Sequence, residues 1–346
     1  MVRPFARERQ LGLAAVRRAC ALTDSVFNKL VKNETLTKGD KSPVTVGDYA
    51  AQALISSMLA KAFPQDPIVG EEDAKDLRVE EGRVLRERIV ELANEAIVAP
   101  LAGDDESAWG IGPGQTKTTD ELLDAIDRGS YEGGRSGRMW TIDPIDGTKG
   151  FLRGEQYAVC VSLLVDAQVQ LGIIGCPNLP TDASNSTRGC IFIAVRGQGC
   201  YQLPLTGGPE TRLAMPLSTP ETLTTLESVE AAHSSHSTND TISSLLGITR
   251  PPVRMDSQAK YGCLARGDGG IYLRMPTGVG YREKIWDHAP GALLVEEAGG
   301  IVTDSRGQPL DFGLGRTLGE NFGVVAAGKD VHAKVLAAVQ QAKAKV

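Results

Sequence analysis

The stretch Trp140-Thr141-Ile142-Asp143-Pro144-Ile145-Asp146-Gly147-Thr148 limits the possible folds more than any other part of the chain. The apolar run from Met139 to Ile142 reads as the end of a buried strand. Pro144 bars continuation as a helix and biases Asp143 toward an extended conformation. Asp143 and Asp146 therefore stand at the mouth of a strand, and Gly147 allows a sharp turn after them. Two carboxylates so close repel each other unless a cation or a shared proton neutralises them. A hard divalent ion such as magnesium is the simplest remedy, and the N–H groups of Gly147 and Thr148 can face a phosphate beside it. Asp and Pro are also ordinary turn residues, so the segment alone leaves open a turn with surface carboxylates.

A chain of 346 residues is long for one core, which predicts two domains. Hydrophobic residues make up 41% and charged residues 23%, the balance of an ordinary globular protein. The net charge of -6, with no basic run interleaved with aromatics, argues against a nucleic-acid partner. No apolar run approaches the ~20 residues of a membrane span. The basic N-terminus has no apolar signal core behind it, so a cytoplasmic protein is expected. The six cysteines, Cys20, Cys160, Cys176, Cys190, Cys200 and Cys263, form no C-x-x-C pair, and several lie in strand-like runs. They read as small buried hydrophobes rather than zinc ligands.

Apolar spacing predicts a long amphipathic helix over about Gln10 to Val31 and a second opening at Thr45-Val46-Gly47-Asp48 and stopped by Pro64. Ile68-Val69-Gly70 reads as a short strand running into Glu71 and Glu72. The charged, Gly-rich region from about Asp73 to Gly137 shows no strong strand and reads as helical insertion and loop. Strand-like runs follow at Tyr157–Val165, Val169–Gly175 and Cys190–Val195, which suggests a mainly antiparallel sheet against the first two helices. From about Arg212 short strands alternate with helices. Strands are expected at Ile271–Met275, Ile301–Thr303 and Phe322–Ala327, with helices at Asp287–Ala298 and Val331–Ala344. That pattern reads as a second α/β domain.

Five acids stand at element ends: Asp48, Glu71, Asp143, Asp146 and Asp287. Each has a structural explanation. Thr45-x-x-Asp48 is close to a capping box, Asp287 is a natural N-cap, and Glu71 with Glu72 fits a solvated strand end. Their ordered combination is harder to explain that way. Asp48-Tyr49-Ala50-Ala51, Gly70-Glu71-Glu72, Asp143 through Thr148 and Trp286-Asp287-His288-Ala289-Pro290-Gly291 together resemble the lithium-sensitive, magnesium-dependent phosphomonoesterases that include inositol monophosphatase and fructose-1,6-bisphosphatase. The segments Ser42–Gln52, Tyr131–Arg135, Gly147–Gln156 and Asp256–Tyr261 are most similar to the 3′(2′),5′-bisphosphate nucleotidases. The likeness covers nearly the whole chain and is weakest at about 73–128 and 179–230.

The resemblance implies a layered αβαβα sandwich, α/β (α+β) in class. Its N-terminal sheet, in residues 1–213, would be mainly antiparallel, and a mixed sheet would lie in residues 214–346. It implies that Glu71, Asp143 and the carbonyl of Ile145 hold one Mg2+. Asp143, Asp146 and Asp287 would hold a second, and a third, looser ion would sit near Asp48 and Glu71. Asp48 with Thr148 would orient and deprotonate the attacking water, and Gly147 and Thr148 would hold the phosphate. Such ligands suit magnesium, and two ions can clamp the attacking and leaving oxygens of an in-line displacement.

A bisphosphate also needs a cationic cradle for the phosphate that stays. His233, Ser257, Lys260 and Arg274 would bind substrate by resemblance, and their side chains can neutralise or hydrogen-bond phosphate oxygens. Arg274 could instead pair with a carboxylate, and His233-Ser234-Ser235-His236 could be a plain loop. Two departures stand out: Ala231-Ala232 precedes His233 where Gly is expected, and Arg266 interrupts an otherwise apolar segment. The leading expectation is an enzyme hydrolysing 3′-phosphoadenosine 5′-phosphate to AMP and phosphate, with the corresponding phosphosulfate as a second substrate. Lithium, and often sodium, would inhibit it, and it would act as a monomer on a small-molecule nucleotide. The rivals are a phosphatase of inositol or sugar bisphosphates and a non-catalytic nucleotide or metal sensor. Gly313-Leu314-Gly315 does not meet the dinucleotide fingerprint, which argues against a dehydrogenase.

Overall fold

Apolar side chains recurring every three to four positions draw Ala6–Leu30 (α1) and Val46–Ala62 (α2) into helices. These and the elements below come from a computed structural model, which describes residues 3–30, 35–37, 43–100, 114–182, 187–219, 222–230, 235–278 and 280–344. A short antiparallel pair, Thr35–Thr37 (β1) and Pro43–Thr45 (β2), precedes α2. The predicted capping role of Thr45 lies outside the described side chains. α2 is buried on more than one face, with even Gln52 and Ser56 fully inaccessible. The charged region supplies the extra cover: Arg83–Val98 (α3) and Thr119–Asp127 (α4) pack against α2. A reciprocal capping box between Thr118 and Glu121 starts α4.

The larger sheet runs in the order β3-β4-β5-β6-β7-β8-β9. Its strands are Ile68–Gly70 (β3), Arg138–Asp146 (β4), Ala158–Val165 (β5), Gln168–Pro180 (β6), Arg188–Val195 (β7), Gly199–Pro204 (β8) and Thr211–Leu213 (β9). The β3–β4 pair is parallel and the remaining neighbours are antiparallel. Both faces are buried. Val159, Val161 and Leu163 of β5, with Ile191 and Ile193 of β7, face the core shared with α1 and α2. Ala158, Cys160 and Leu164, with Cys190, Phe192 and Ala194, face a second core. The strict alternation is what a two-residue side-chain period requires.

That second core is completed by Ala259–Arg266 (α7) and Ala289–Glu297 (α8), and by one face of the smaller sheet. The smaller sheet, Thr225–Glu227 (β10), Val253–Arg254 (β11), Ile271–Arg274 (β12), Gly300–Thr303 (β13) and Val324–Gly328 (β14), has the order β11-β10-β12-β14-β13. It is mixed, because β10 runs parallel to both neighbours while β14 runs antiparallel to β12 and β13. Its other face, with Ile271, Leu273, Val325 and Ala327, packs on His236–Leu245 (α6) and His332–Lys343 (α9). The layers are thus helix, sheet, helix, sheet, helix, the expected sandwich.

Several expectations need correction. The pattern-based reading misses β1 and β2, where a polar, Lys-rich loop is expected, and also β8 to β11, α6 and α7. It also merges Asp287 into α8. Ile285–Asp287 is instead a 3-10 turn, and His288 occupies the N-cap of α8 without a capping side-chain hydrogen bond. Asp287 is therefore not an N-cap, which leaves its carboxylate available for other work. The six cysteines are free and buried. Among the described residues no helix is long and apolar enough to cross a membrane.

Candidate active site

The separation of three residues between Asp143 and Asp146 would put them on opposite faces of a regular strand. The chain avoids this with a bulge. Asp143 pairs with Cys160 and Asp146 with Ala158, so three steps on β4 are matched by two on β5. Pro144, which has no N–H to give to the ladder, falls inside the irregularity. Cys160 and Ala158 share the face of the second core, and residues directly opposite share a face. Both carboxylates are thereby aimed to the same side.

Gly147 follows in a left-handed conformation at φ 87°, and Thr148–Arg153 (α5) begins at once. A Cβ on Gly147 would sit 3.0 Å from the Ser257 Cβ and 3.2 Å from its backbone nitrogen. Strain and crowding act together there, so Gly147→Ala is expected to destabilise the fold by about 1–3 kcal/mol. It is also expected to weaken substrate binding, visible as a lower thermal midpoint and a raised KM in the same preparation.

Glu71 arrives from β3. Gly70 is in register with Ile142 in the parallel pair, so the next residue on each strand, Glu71 and Asp143, lies alongside the other. The Gln52 amide fixes this strand end. It donates to the carbonyls of Glu72 (2.6 Å) and Ile126 (3.0 Å) and accepts from the Glu72 N–H (2.9 Å). Glu72 is buried, so the pair of acids is no solvated strand end. Asp48 lies in the first turn of α2 and is 2% exposed. Asp287 enters from the 3-10 turn on the far side.

These five acids share one electrostatic environment. Burial, followed by the charges of Glu71, Asp146, Asp287 and Asp48, pushes the Asp143 carboxyl well above the usual range. Burial likewise raises Asp146, against the pull of Lys260 and the Gln258 N–H, and raises Asp287, against the pull of Arg274. The Oδ1 atom of Asp143 is buried with no hydrogen-bond partner. An orphaned carboxylate oxygen among like charges is costly unless a cation satisfies it. The donors are all oxygen, the set a hard divalent ion takes. Among the described residues no three His, Cys, Asp or Glu side chains already close on one point as a ready-made cage. An ion that keeps several of its own waters does not require such a cage.

Four of the five acids and three of the proposed substrate ligands border one cleft of about 190 Å3, lined by Glu71, Asp143, Ile145, Asp146, Gly147 and Thr148 together with Ser257, Lys260, Arg274 and Asp287; Asp48 is not part of this lining and acts on Asp143 through its charge. Thr148 Oγ1 donates to the Ile145 carbonyl at 3.3 Å. Ser257 is held in the left-handed region at φ 68°, and its Oγ accepts from the Ala259 N–H. Lys260 donates to the carbonyls of Met255 (2.8 Å) and Ser257 (2.7 Å), which leaves its third proton for the cleft. Burial lowers its pKa to about 8. Asp146 accepts from the Gln258 N–H, tying the acid strand to the start of α7.

Arg274 faces the cleft and pairs with a carboxylate, the alternative left open by the sequence. Its Nε and Nη2 reach Glu283 at 2.9 and 2.8 Å, and Nη2 lies 3.9 Å from Asp287. Glu283 also takes hydrogen bonds from His288 (3.1 Å) and Asn321 (3.3 Å), and His288 meets the Tyr261 hydroxyl at 2.8 Å. Sequence reasoning missed Glu283, and it missed Lys149, Ser228, Glu230, Asp256 and Tyr281 in the cleft lining. A polar residue within a few positions of a motif acid was the only available signal. His233 lies outside the described residues. Its neighbour His236 has Nε2 3.0 Å from the Ser228 carbonyl.

Comparison with known proteins bears on the same arrangement. The inositol monophosphatase family matches residues 8–344. A protein of Schizosaccharomyces pombe named 3′(2′),5′-bisphosphate nucleotidase is 50% identical, over 96% of this chain and 95% of its own. One of the same name from Emericella nidulans is 47% identical, over 97% and 98% respectively. The structure of the Thermotoga maritima IMPase superposes with a TM-score of 0.63 at 18% identity, covering 97% of this chain and 98% of the other, a likeness of fold. With the match running almost from end to end, the chain belongs to the inositol monophosphatase family, a family of metal-dependent phosphatases.

Proposed function

We propose that the protein is a magnesium-dependent phosphomonoesterase that hydrolyses 3′-phosphoadenosine 5′-phosphate to AMP and phosphate. The observation that carries this reading is the pairing of walls in one cleft. Carboxylates surround an unpartnered Asp143 oxygen on one side, and Ser257, Lys260 and Arg274 offer donors to a second anion on the other. The names of the half-identical relatives point to the same chemistry. Residues 1–213 carry most of the acids, and 214–346 carry Asp287 and the cationic wall.

Glu71, Asp143, Asp146, Asp287 and the Ile145 carbonyl would hold two or three Mg2+. When bound, the metal acidifies a water and offsets the negative charge that builds on the phosphoryl oxygens. The chain's own groups do the rest. Asp48, placed in the first turn of α2, accepts the proton of the attacking water, and Thr148 orients that water. Water oxygen bonds to phosphorus as the ester oxygen leaves with the ribose, which takes a proton from solvent. The Gly147 and Thr148 backbone N–H groups steady the phosphoryl group. Lys260 and Arg274 neutralise the phosphate that remains, and their position decides which bisphosphates fit.

Purified protein in magnesium is expected to release phosphate from 3′-phosphoadenosine 5′-phosphate faster than from inositol 1,4-bisphosphate or fructose 1,6-bisphosphate. The phosphosulfate analogue should be a second substrate. Release measured across this panel decides the matter. Equal or faster turnover of the inositol compound would transfer the assignment to that substrate, and no release from any of them would reject it.

A further inference from the structure

We infer that Arg316 is a positioning residue that holds the Glu71 and Asp287 sides of the cleft at the separation magnesium requires. The inference rests on the metal reading above. Glu71 follows the end of β3 and Asp287 closes a 3-10 turn, and their like charges repel, so some contact other than their own must fix the gap.

Arg316 touches both supports. Its guanidinium donates through Nη2 to the carbonyl of Gly70 (2.5 Å), the residue immediately before Glu71. Nη1 reaches the carbonyls of Gly129 (2.8 Å) and Tyr131 (3.0 Å), the segment paired against the same strand end. The opposite face of the junction is Trp286, the residue immediately before Asp287, and the guanidinium carbon lies 4.9 Å from its ring centroid. Trp286 is 4% exposed, so this contact is largely shielded from water. The backbone of the same segment is fastened to the Asp287 side. Ile285 donates to the Arg316 carbonyl (3.1 Å), Leu318 donates to the Glu283 carbonyl (2.8 Å), and Lys284 bridges to Thr317.

One side chain thus bonds the peptide that delivers Glu71 while its own backbone and its stacking surface bear on the turn that delivers Asp287. Burial lowers the Arg316 pKa, while the charges of Glu132, Asp73 and Glu71 raise it, which puts Glu71 within its electrostatic reach. A planar fork with several donors and a stacking face serves three carbonyls and a ring at once. The single ammonium of lysine cannot reproduce that geometry.

An ion pair between the same two stretches of chain serves as the control. Arg135 meets Asp311 at 2.6 Å, but both side chains are largely exposed (63% and 41%), and neither adjoins an acid of the cleft. Exposed pairs of this kind contribute little.

The test titrates magnesium into the native protein and the variants Arg316→Ala, Arg316→Lys and Arg135→Ala. It reads the concentration giving half-maximal thermal stabilisation and the change in tryptophan fluorescence, with phosphate release as a third readout. Arg316→Ala is expected to raise the midpoint about 10- to 100-fold, with Arg316→Lys in between. At saturating magnesium the KM for nucleotide should stay near native. Arg135→Ala should leave the magnesium midpoint where it was. Arg316→Lys keeps the test decisive should the alanine variant fail to fold. Native midpoints in both Arg316 variants, or an equal shift in Arg135→Ala, would overturn the inference. A native protein that ignores magnesium in every readout would instead remove the metal reading on which it depends.

Discussion

Asp143→Asn is expected to lower phosphate release by at least about 10^3-fold while the metal-free protein becomes more stable to heat, not less. The two halves of this result have one cause. Asp143 is buried, faces four other acids, and has an oxygen with no partner. The neutral amide keeps the shape of the side chain but removes a buried charge from a repulsive group. The folded state without metal therefore gains, and strain held at a site for the sake of function is released. Magnesium should reverse the order. A ligand that binds only the folded state at a hundred times its dissociation constant adds about 2.7 kcal/mol. The native protein would show that gain and the variant would lose most of it. Paired melting curves with and without magnesium, beside a phosphate assay, check the prediction. A variant that keeps native activity, or that melts lower in metal-free buffer, would contradict the role assigned to this carboxylate.

What the sequence made legible was whatever short-range pattern encodes. The strand-like runs within β5 to β7 announce a mainly antiparallel sheet, and the three-to-four spacing in α1 and α2 announces the helices laid on it; the burial of the sheet's second face emerged only in the folded chain. β8 and β9 lack such a run: Tyr201, Gln202 and Arg212 interrupt them, and pairing with the preceding strand makes them strands. The five acids were legible as motif residues. Their common orientation was not, since three-residue spacing alone sends Asp143 and Asp146 to opposite faces until the bulge at Pro144 is known. Gln52 and Arg316 act through carbonyls brought near only by folding, over separations such as 74 residues between Gln52 and Ile126 and 246 between Arg316 and Gly70. No local pattern encodes a contact of that kind. Lys260 was found by resemblance, yet its two carbonyl contacts and its burial became visible only in the folded chain.

Glu283→Gln should be the most damaging change among the residues that touch no proposed metal ion. It is expected to cost roughly 3–5 kcal/mol at neutral pH, because removing one partner of a buried ion pair leaves the other uncompensated. Arg274 is 12% exposed and Glu283 is 5%, so water cannot easily replace what is lost. Burial alone would push the Glu283 carboxyl up. Arg274 and His288 outweigh it and hold the carboxyl down to about 2, against an ordinary value of 4.5. A depressed carboxyl stabilises the folded state fully above its ordinary value and loses that contribution as pH falls through the interval toward about 2. The gap in unfolding free energy between native protein and variant should therefore be widest near neutrality and close as the solution is acidified. Activity should fall as well. Freed from Glu283, the Arg274 guanidinium has Asp287, now 3.9 Å away, as an alternative acid, and a closer approach would neutralise a carboxylate proposed to hold magnesium. Urea unfolding at several pH values, combined with the magnesium concentration for half-maximal turnover, measures both effects. A loss of less than about 1 kcal/mol, the scale of an exposed pair, would mean that solvent already screens this contact. A gap that widens on acidification would give the linkage the wrong sign, and Glu283 would then not be the ionised partner that keeps Arg274 off the acids.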